Sequence, residues 1–166
     1  MTLKITFKNQ YNAFNYQIYM AIAMVGCFYF YPQFRTFIGF AIMTGMWLFS
    51  ALPALYLHIE YYLRNKGEEI TINFDELIVK KNGTVKKYQN SDFEKITVYI
   101  APAYNSGVLG FIYYFYTRLI TTKGEEIIIT CLMTRKMEEM LKILGAPYQI
   151  SRKPFFYSLR FGRLKK

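Results

Sequence analysis

The stretch TFIGFAIMTGMWLFSALPALYL, from Thr36 to Leu57, decides how the rest of the chain is read. Its 22 residues include no Asp, Glu, Lys, Arg or His. Apart from the rings of Trp47 and Tyr56, only Thr36, Thr44 and Ser50 carry polar side chains. At about 1.5 Å per residue, a helix of this length extends about 33 Å, against a bilayer hydrocarbon core of about 30 Å. The competing reading is a helix buried on all sides of a soluble domain. A chain of 166 residues could hide one such helix but scarcely two, and a second candidate lies just upstream. The stretch reads as a transmembrane helix.

Upstream, Asn9 to Phe34 again carries no charge. Its most apolar part, Ile18 to Tyr31, is short for a full crossing and must recruit Tyr11 and Tyr16 on one side and Phe34 on the other. A signal peptide with Lys4 and Lys8 as its basic head is the rival. No small-x-small cleavage pattern follows Tyr31, where PQFRTF stands instead, so a retained first helix is expected. Pro32 to Arg35 is then the tip of an antiparallel helical hairpin, and Pro53 is expected to kink the second helix. Lys4 and Lys8 precede the hairpin, Arg64 and Lys66 follow it, and Arg35 alone marks the tip, which places both termini in the cytoplasm. Residues 1–15 alternate Leu3, Ile5 and Phe7 with polar neighbours, the pattern of a short strand or of the start of an interfacial helix.

Downstream the pattern changes to period two. Glu69–Phe74, Glu76–Lys81 and Thr84–Gln89 read as strands, the last two joined by Asn82-Gly83, a turn pair that tolerates positive φ. Lys95–Ile100 follows, then a long aromatic strand over Phe111–Thr121, and Glu125–Thr130 after a Lys123-Gly124 turn. Thr134 to Leu144 carries Met137, Met140, Leu141 and Leu144 at helical spacing, with Gly145 as its cap and Pro147 as its stop. Tyr61–Asn65 is either another strand or an extension of the second helix.

Strands closed by one amphipathic helix behind a two-helix hairpin resemble the small bacterial membrane proteins with a pleckstrin-homology-like (PH-like, including YcxB-like) domain. The likeness is carried by EEITINFDELIVKKNGTVKKYQNSDFEKITVY (68–99), YYFYTRLITTKGEEIIITCL (113–132) and the helix after them. It implies a membrane α-helical hairpin plus an α+β PH-like domain, with a bent antiparallel sheet capped by one C-terminal helix and no enzymatic activity. The expected organisation is a cytoplasmic segment at 1–15, the hairpin at 16–59, a PH-like domain at 60–150 that supplies its own core, and a basic-aromatic tail at 151–166. Such a barrel has seven strands, and six are counted here. Relatives that bind phosphoinositides place basic residues at the first strand loop, taken here as Asn73-Phe74-Asp75-Glu76, which is acidic and argues against that specificity.

The chain holds 21 basic and 11 acidic side chains, and the excess is concentrated at its ends. Two groups of residues are candidates for membrane-surface or partner contact. Lys80, Lys81, Lys86 and Lys87 flank the Asn82-Gly83 turn, where an ordinary solvated hairpin is the plainer reading. The tail SRKPFFYSLRFGRLKK interleaves Arg152, Lys153, Arg160, Arg163, Lys165 and Lys166 with Phe155, Phe156 and Phe161, the composition of an arm on a lipid surface or in a partner's groove. Nucleic acid is not the expected ligand, because the basic excess is not spread over a globular face.

Cys27 and Cys131 form neither a disulfide framework nor a metal cluster, and His58 stands without a nucleophile or metal-ligand group. Glu125 and Glu126 are adjacent and face opposite ways. No catalytic residue, cofactor or metal is expected. The reading that follows is a non-enzymatic protein of the bacterial cytoplasmic (inner) membrane. It crosses twice and displays a PH-like domain to lipid or to a protein partner, as an accessory subunit of a membrane complex. The alternative is a small transporter or channel component that forms homo-oligomers through the hairpin, but charge within the membrane segments is confined to Arg35 at the tip.

Overall fold

In the computed structural model, residues 1–101, 110–152 and 158–159 are described. The chain begins with a strand, β1 (Thr2–Lys4), and enters helix α1 (Phe7–Phe30) through Thr6, whose hydroxyl accepts from the Asn9 amide at 3.2 Å. So residues 1–15 contain both the strand and the helix start. A short 3-10 turn, Pro32–Arg35, reverses the chain. Thr36 then caps α2 (Phe37–Asn65) by accepting from the Gly39 amide at 3.1 Å. Arg35 donates to the carbonyls of Phe28 and Tyr29 at 2.9 and 2.6 Å. The one charged side chain of the tip thereby satisfies carbonyls left over at the end of α1 and opposes its negative dipole end.

Strands β2 (Glu68–Asn73), β3 (Glu76–Lys81) and β4 (Thr84–Gln89) follow, and β1 pairs with β2 to give an antiparallel sheet in the order β1-β2-β3-β4. The β3–β4 turn has φ of 48° at Asn82 and 80° at Gly83, as their chemistry requires. A second sheet contains β5 (Phe93–Ile100), β6 (Tyr116–Thr121), β7 (Glu126–Thr130) and β8 (Gln149–Arg152) in the order β7-β6-β5-β8. Helix α3 (Met137–Leu144) ends at Gly145, with φ of 70°, and packs on β2 with Met137, Met140, Leu141 and Leu144 all buried.

Several expectations are corrected. Of the two readings open for Tyr61–Asn65, extension of the second helix is the one observed, and the seventh strand is β1, from the far end of the sequence. The aromatic strand begins only at Tyr116, because Gly110–Tyr113 forms a 3-10 turn. The consecutive Phe111 and Ile112 are both buried there, and an alternating strand could not turn both toward one neighbour. Helix α3 starts at Met137 rather than Thr134, whose hydroxyl instead accepts from the Lys136 amide at 3.0 Å. Ser151 and Arg152 lie in β8, parallel to β5, so the boundary drawn at residue 151 falls inside a strand.

The topology matters most for the hairpin. Leu3 is paired with Ile70, so α1 and α2 are an insertion between two adjacent strands. The base of α2 also belongs to the sheet core: Ala54, Leu57 and Tyr61 have no exposed surface, and Tyr61 meets the rings of Tyr114 and Tyr116 edge-on at 5.8 and 5.9 Å. Beneath it, Asn65 donates to the Glu68 carboxylate at 2.6 Å and to the Ile128 carbonyl at 2.8 Å, which fastens the helix end to β7. The core is therefore shared between the hairpin and the sheets rather than supplied by residues 60–150 alone. Tyr61→Ala is expected to lower unfolding stability by about 3–5 kcal/mol, as loss of a buried aromatic does, while exposed Leu63→Ala costs well under half of that. A fragment of residues 64–152, lacking Leu3, Leu57 and Tyr61, is expected to give a poorly dispersed amide spectrum. Full dispersion would show that the sheets close without them.

Candidate functional site

Two surfaces stand out once the fold is known. The first is the upper hairpin. Between Ile18 and Phe49 no described side chain is buried, and Val25, Phe30, Phe37, Ile38 and Met46 expose between 65 and 85% of their area. A helix at the centre of a soluble domain would show the reverse. A polar knot marks the lower limit of this exposed part. The Gln17 amide donates to the carbonyl and hydroxyl of Ser50 at 3.1 and 2.9 Å, the Gly110 amide donates to the same hydroxyl at 3.1 Å, and the Trp47 indole donates to the Gln17 carbonyl at 3.2 Å. Gly110 is required at this point, since a Cβ there would lie 1.9 Å from the Gln17 amide nitrogen. Sequence reading passed over Gln17 and Gly110, and a lone Gln within an uncharged helix was the available signal.

The second surface is the β3–β4 hairpin, and the structure alters its electrostatics. Lys81 lies 3.4 Å from Glu68, Lys86 lies 2.8 Å from Glu125, and Lys87 lies 3.7 Å from Glu76. Three of the four lysines thus face carboxylates. Lys80 is exposed, opposite Glu69 in the ladder. Glu125 also accepts from the Tyr88 hydroxyl at 2.6 Å. Its hydrogen bond from Lys86, then that from Tyr88, holds its carboxyl below the ordinary range. Burial, and next this hydrogen bond, carries the Tyr88 hydroxyl above its own. Glu126 pairs instead with Arg118 at 2.7 Å, so the adjacent glutamates do not act together.

Of the tail residues, Arg152 is exposed at the end of β8. Lys153, Phe155, Phe156, Arg160, Phe161, Arg163, Lys165 and Lys166 lie outside the described residues. Between them, Ser158 and Leu159 return to α2: the Ser158 hydroxyl donates to Glu60 Oε1 at 2.9 Å and the Leu159 amide to Oε2 at 3.0 Å. Glu60 is the anchor that a sequence reading could not find, because its partners lie about a hundred residues away.

The remaining chemistry-bearing side chains are packed into the scaffold. His58 Nδ1 is 2.9 Å from the Tyr114 hydroxyl, and its ring meets Phe14 edge-on, so it joins hairpin to sheet. Cys131 is buried, and burial pushes its thiol up to about 11. Among the described residues no group of three or more His, Cys, Asp or Glu could hold a metal. The loop Asn73-Phe74-Asp75-Glu76 joins the second and third strands, not the first and second. The first connection is the helical hairpin itself.

Comparison with protein families matches residues 3–138 to the PH domain. The match takes in β1, both long helices, all strands through β7 and the start of α3. Comparisons with curated proteins and with solved structures returned no match. The chain belongs to the PH-domain family.

The Lys86–Glu125–Tyr88 contact is testable by titration. Glu125 is expected to titrate below the usual glutamate value of about 4.3, and Lys86→Gln to raise it, read from its side-chain carboxyl resonance. Because the folded value is the lower one, the contact contributes stability above the unfolded value and loses it as pH falls through the folded one. An unchanged titration in the variant would remove Lys86 as the cause.

Proposed function

We propose, from membership of the PH-domain family, that this is a non-enzymatic protein of the bacterial inner membrane. Its apolar hairpin crosses the bilayer and holds the PH-like domain against the cytoplasmic face for contact with lipid or a protein partner. The observation that carries the reading is the exposed, uncharged upper hairpin inserted between two paired strands. PH-like domains commonly contact lipids or proteins, which supports a binding role over a catalytic one. An accessory subunit of a larger membrane complex fits that role.

Dimensions refine the placement. From the polar knot to the tip, each helix adds about 13 residues, or about 20 Å, and a hydrocarbon core of about 30 Å takes in more than that. The domain therefore sits flush with the membrane, its lowest apolar helix surface in the interface. Leu52, Leu55 and Ile59, exposed on α2 below the knot, extend the apolar surface downward on that side. Tyr56, about 28 Å from the tip along α2, lies at the level where aromatic rings favour the interface. Glu60 holds Ser158 and Leu159 near the same level, and the sequence after them carries Arg160, Arg163, Lys165 and Lys166, cations of the kind that acidic headgroups attract.

A cysteine placed at Gln33 is expected to react with an impermeant maleimide from outside intact cells, and a cytoplasm-dependent reporter to work after Lys166. Labelling that requires permeabilisation would overturn the orientation. A peptide of residues 151–166 is expected to bind acidic vesicles and to release most of its bound fraction by 1 M salt, where the Debye length falls to about 3 Å. Indifference to acidic lipid would assign the tail to a protein groove.

A further inference from the structure

We propose that the hollow between the base of α1 and the Gly110–Tyr113 turn binds the phosphate of one anionic phospholipid, with Arg135 as its cation and the lipid's acyl chains lying along α1. This rests on the membrane reading above. The hollow measures about 440 Å³ and is lined by Asn12, Asn15, Tyr16, Tyr19, Tyr113 and Arg135. That volume suits a small ligand's polar end, and no carboxylate lines it.

Arg135 is held in place rather than free to wander. Its guanidinium carbon lies 5.6 Å from the Phe115 ring centroid, and Nη1 donates to the Tyr113 carbonyl at 3.4 Å. Among the described residues no carboxylate lies within ion-pair distance of it. Arg135 also borders the adjoining hollow, with Lys136, Glu138, Glu139 and Lys142, where Glu139 is engaged by Lys136 at 2.9 Å and no carboxylate is paired with Arg135. A guanidinium has five N–H donors in a planar fork suited to phosphate, and among the described residues one hydrogen bond of 3.4 Å leaves most of them unused. The wall opposite is fixed as well, because the Asn9 side-chain Nδ2 donates to the Met133 carbonyl at 2.9 Å and ties α1 to the segment before α3.

The α1 wall supplies the remaining specificity. Asn12, Asn15, Tyr16 and Tyr19 recur at three- and four-residue spacing and share one face. The side-chain amides of Asn12 and Asn15 have no hydrogen-bond partner among the described residues. Lys8, exposed one turn below Asn12, adds a cation on that face. One turn above Tyr19 the same face becomes apolar, with exposed Ile22 and Ala23 and then Gly26, around which nothing lies within 4 Å. A polar, cationic base beneath an apolar channel fits an amphiphile. A free phosphate would use only the base.

The test uses the full chain in mild non-ionic detergent, with retained lipid counted by native mass spectrometry as dioleoyl-phosphatidylglycerol or dioleoyl-phosphatidylcholine is added. One phosphatidylglycerol is expected to be retained in preference to phosphatidylcholine. Arg135→Gln is expected to weaken its retention about tenfold or more, as loss of a charge-assisted contact should, with Arg135→Lys in between. Asn15→Asp, which places a carboxylate in the hollow while keeping the fold's contacts, is expected to weaken it comparably and decides the matter if Arg135→Gln unfolds. Lys165→Gln with Lys166→Gln is expected to leave this lipid in place. Equal retention of both lipids, or no effect of either hollow variant, would overturn the site. Displacement of phosphatidylglycerol by an equal concentration of inorganic phosphate would overturn the lipid identity. Membrane fractionation runs alongside: wild type recovered in carbonate-washed membranes without lipid preference sinks the site alone, whereas wild type in the soluble fraction sinks the membrane reading beneath it.

Discussion

The pairing of β1 with β2 governs the rest of the structure. Leu3 opposes Ile70, the terminal amino group donates to the Ile72 carbonyl at 2.7 Å, and the Ile72 amide donates back to Met1 at 2.8 Å. Everything between Ile5 and Gly67 must therefore leave the sheet and return to the neighbouring strand. A floppy loop of that length would carry a closure entropy and gain nothing against it. Two antiparallel helices solve the problem, because their feet are adjacent by construction. The inserted hairpin is thus as rigidly oriented to the domain as one strand is to the next.

That geometry explains why the hairpin and domain share a core. The face of α2 bearing Ala54, Leu57 and Tyr61 closes the sheet interior, and at each end of the shared stretch a polar side chain of α2, Asn65 below and Ser50 above, is hydrogen-bonded across the boundary. Asn65 reaches Glu68 and the Ile128 carbonyl at the lower end. Gln17, Ser50 and the Gly110 amide meet at the upper end. Buried polar groups left without such partners would cost enough to loosen the joint. Above the knot, between Ile18 and Phe49, no described side chain is buried, and the exposed surface is mostly apolar.

The two ends of the domain consequently have different characters. Far from the hairpin, Lys86 and Lys87 meet Glu125 and Glu76, and the surface is electrically mixed. Beside the hairpin, Arg135 lies over the Phe115 ring with no carboxylate within ion-pair distance among the described residues, and Glu60 accepts from Ser158 and Leu159.

Local chemistry alone determined much of this. Uncharged runs of sufficient length made α1 and α2 legible, period two made β2 through β5 legible, Asn82-Gly83 specified its turn by the φ values it tolerates, and the apolar stripe with Gly145 specified α3. These signals are local because helix periodicity, pleat alternation and glycine's left-handed freedom act over a few residues. What only the tertiary structure decided depends on partners distant in sequence. That β1 completes the first sheet, that Tyr61 is core and not strand, that Phe111 and Ile112 leave the ladder to pack on the hairpin, and that Lys86 is neutralised by Glu125 all follow from contacts dozens of residues apart. The same holds for the hollow at Arg135, which draws on α1, the turn at 110–113 and the segment before α3. Charge and polarity are written in the sequence, but whether a charge is paired depends on which distant segments the hydrophobic core brings beside it.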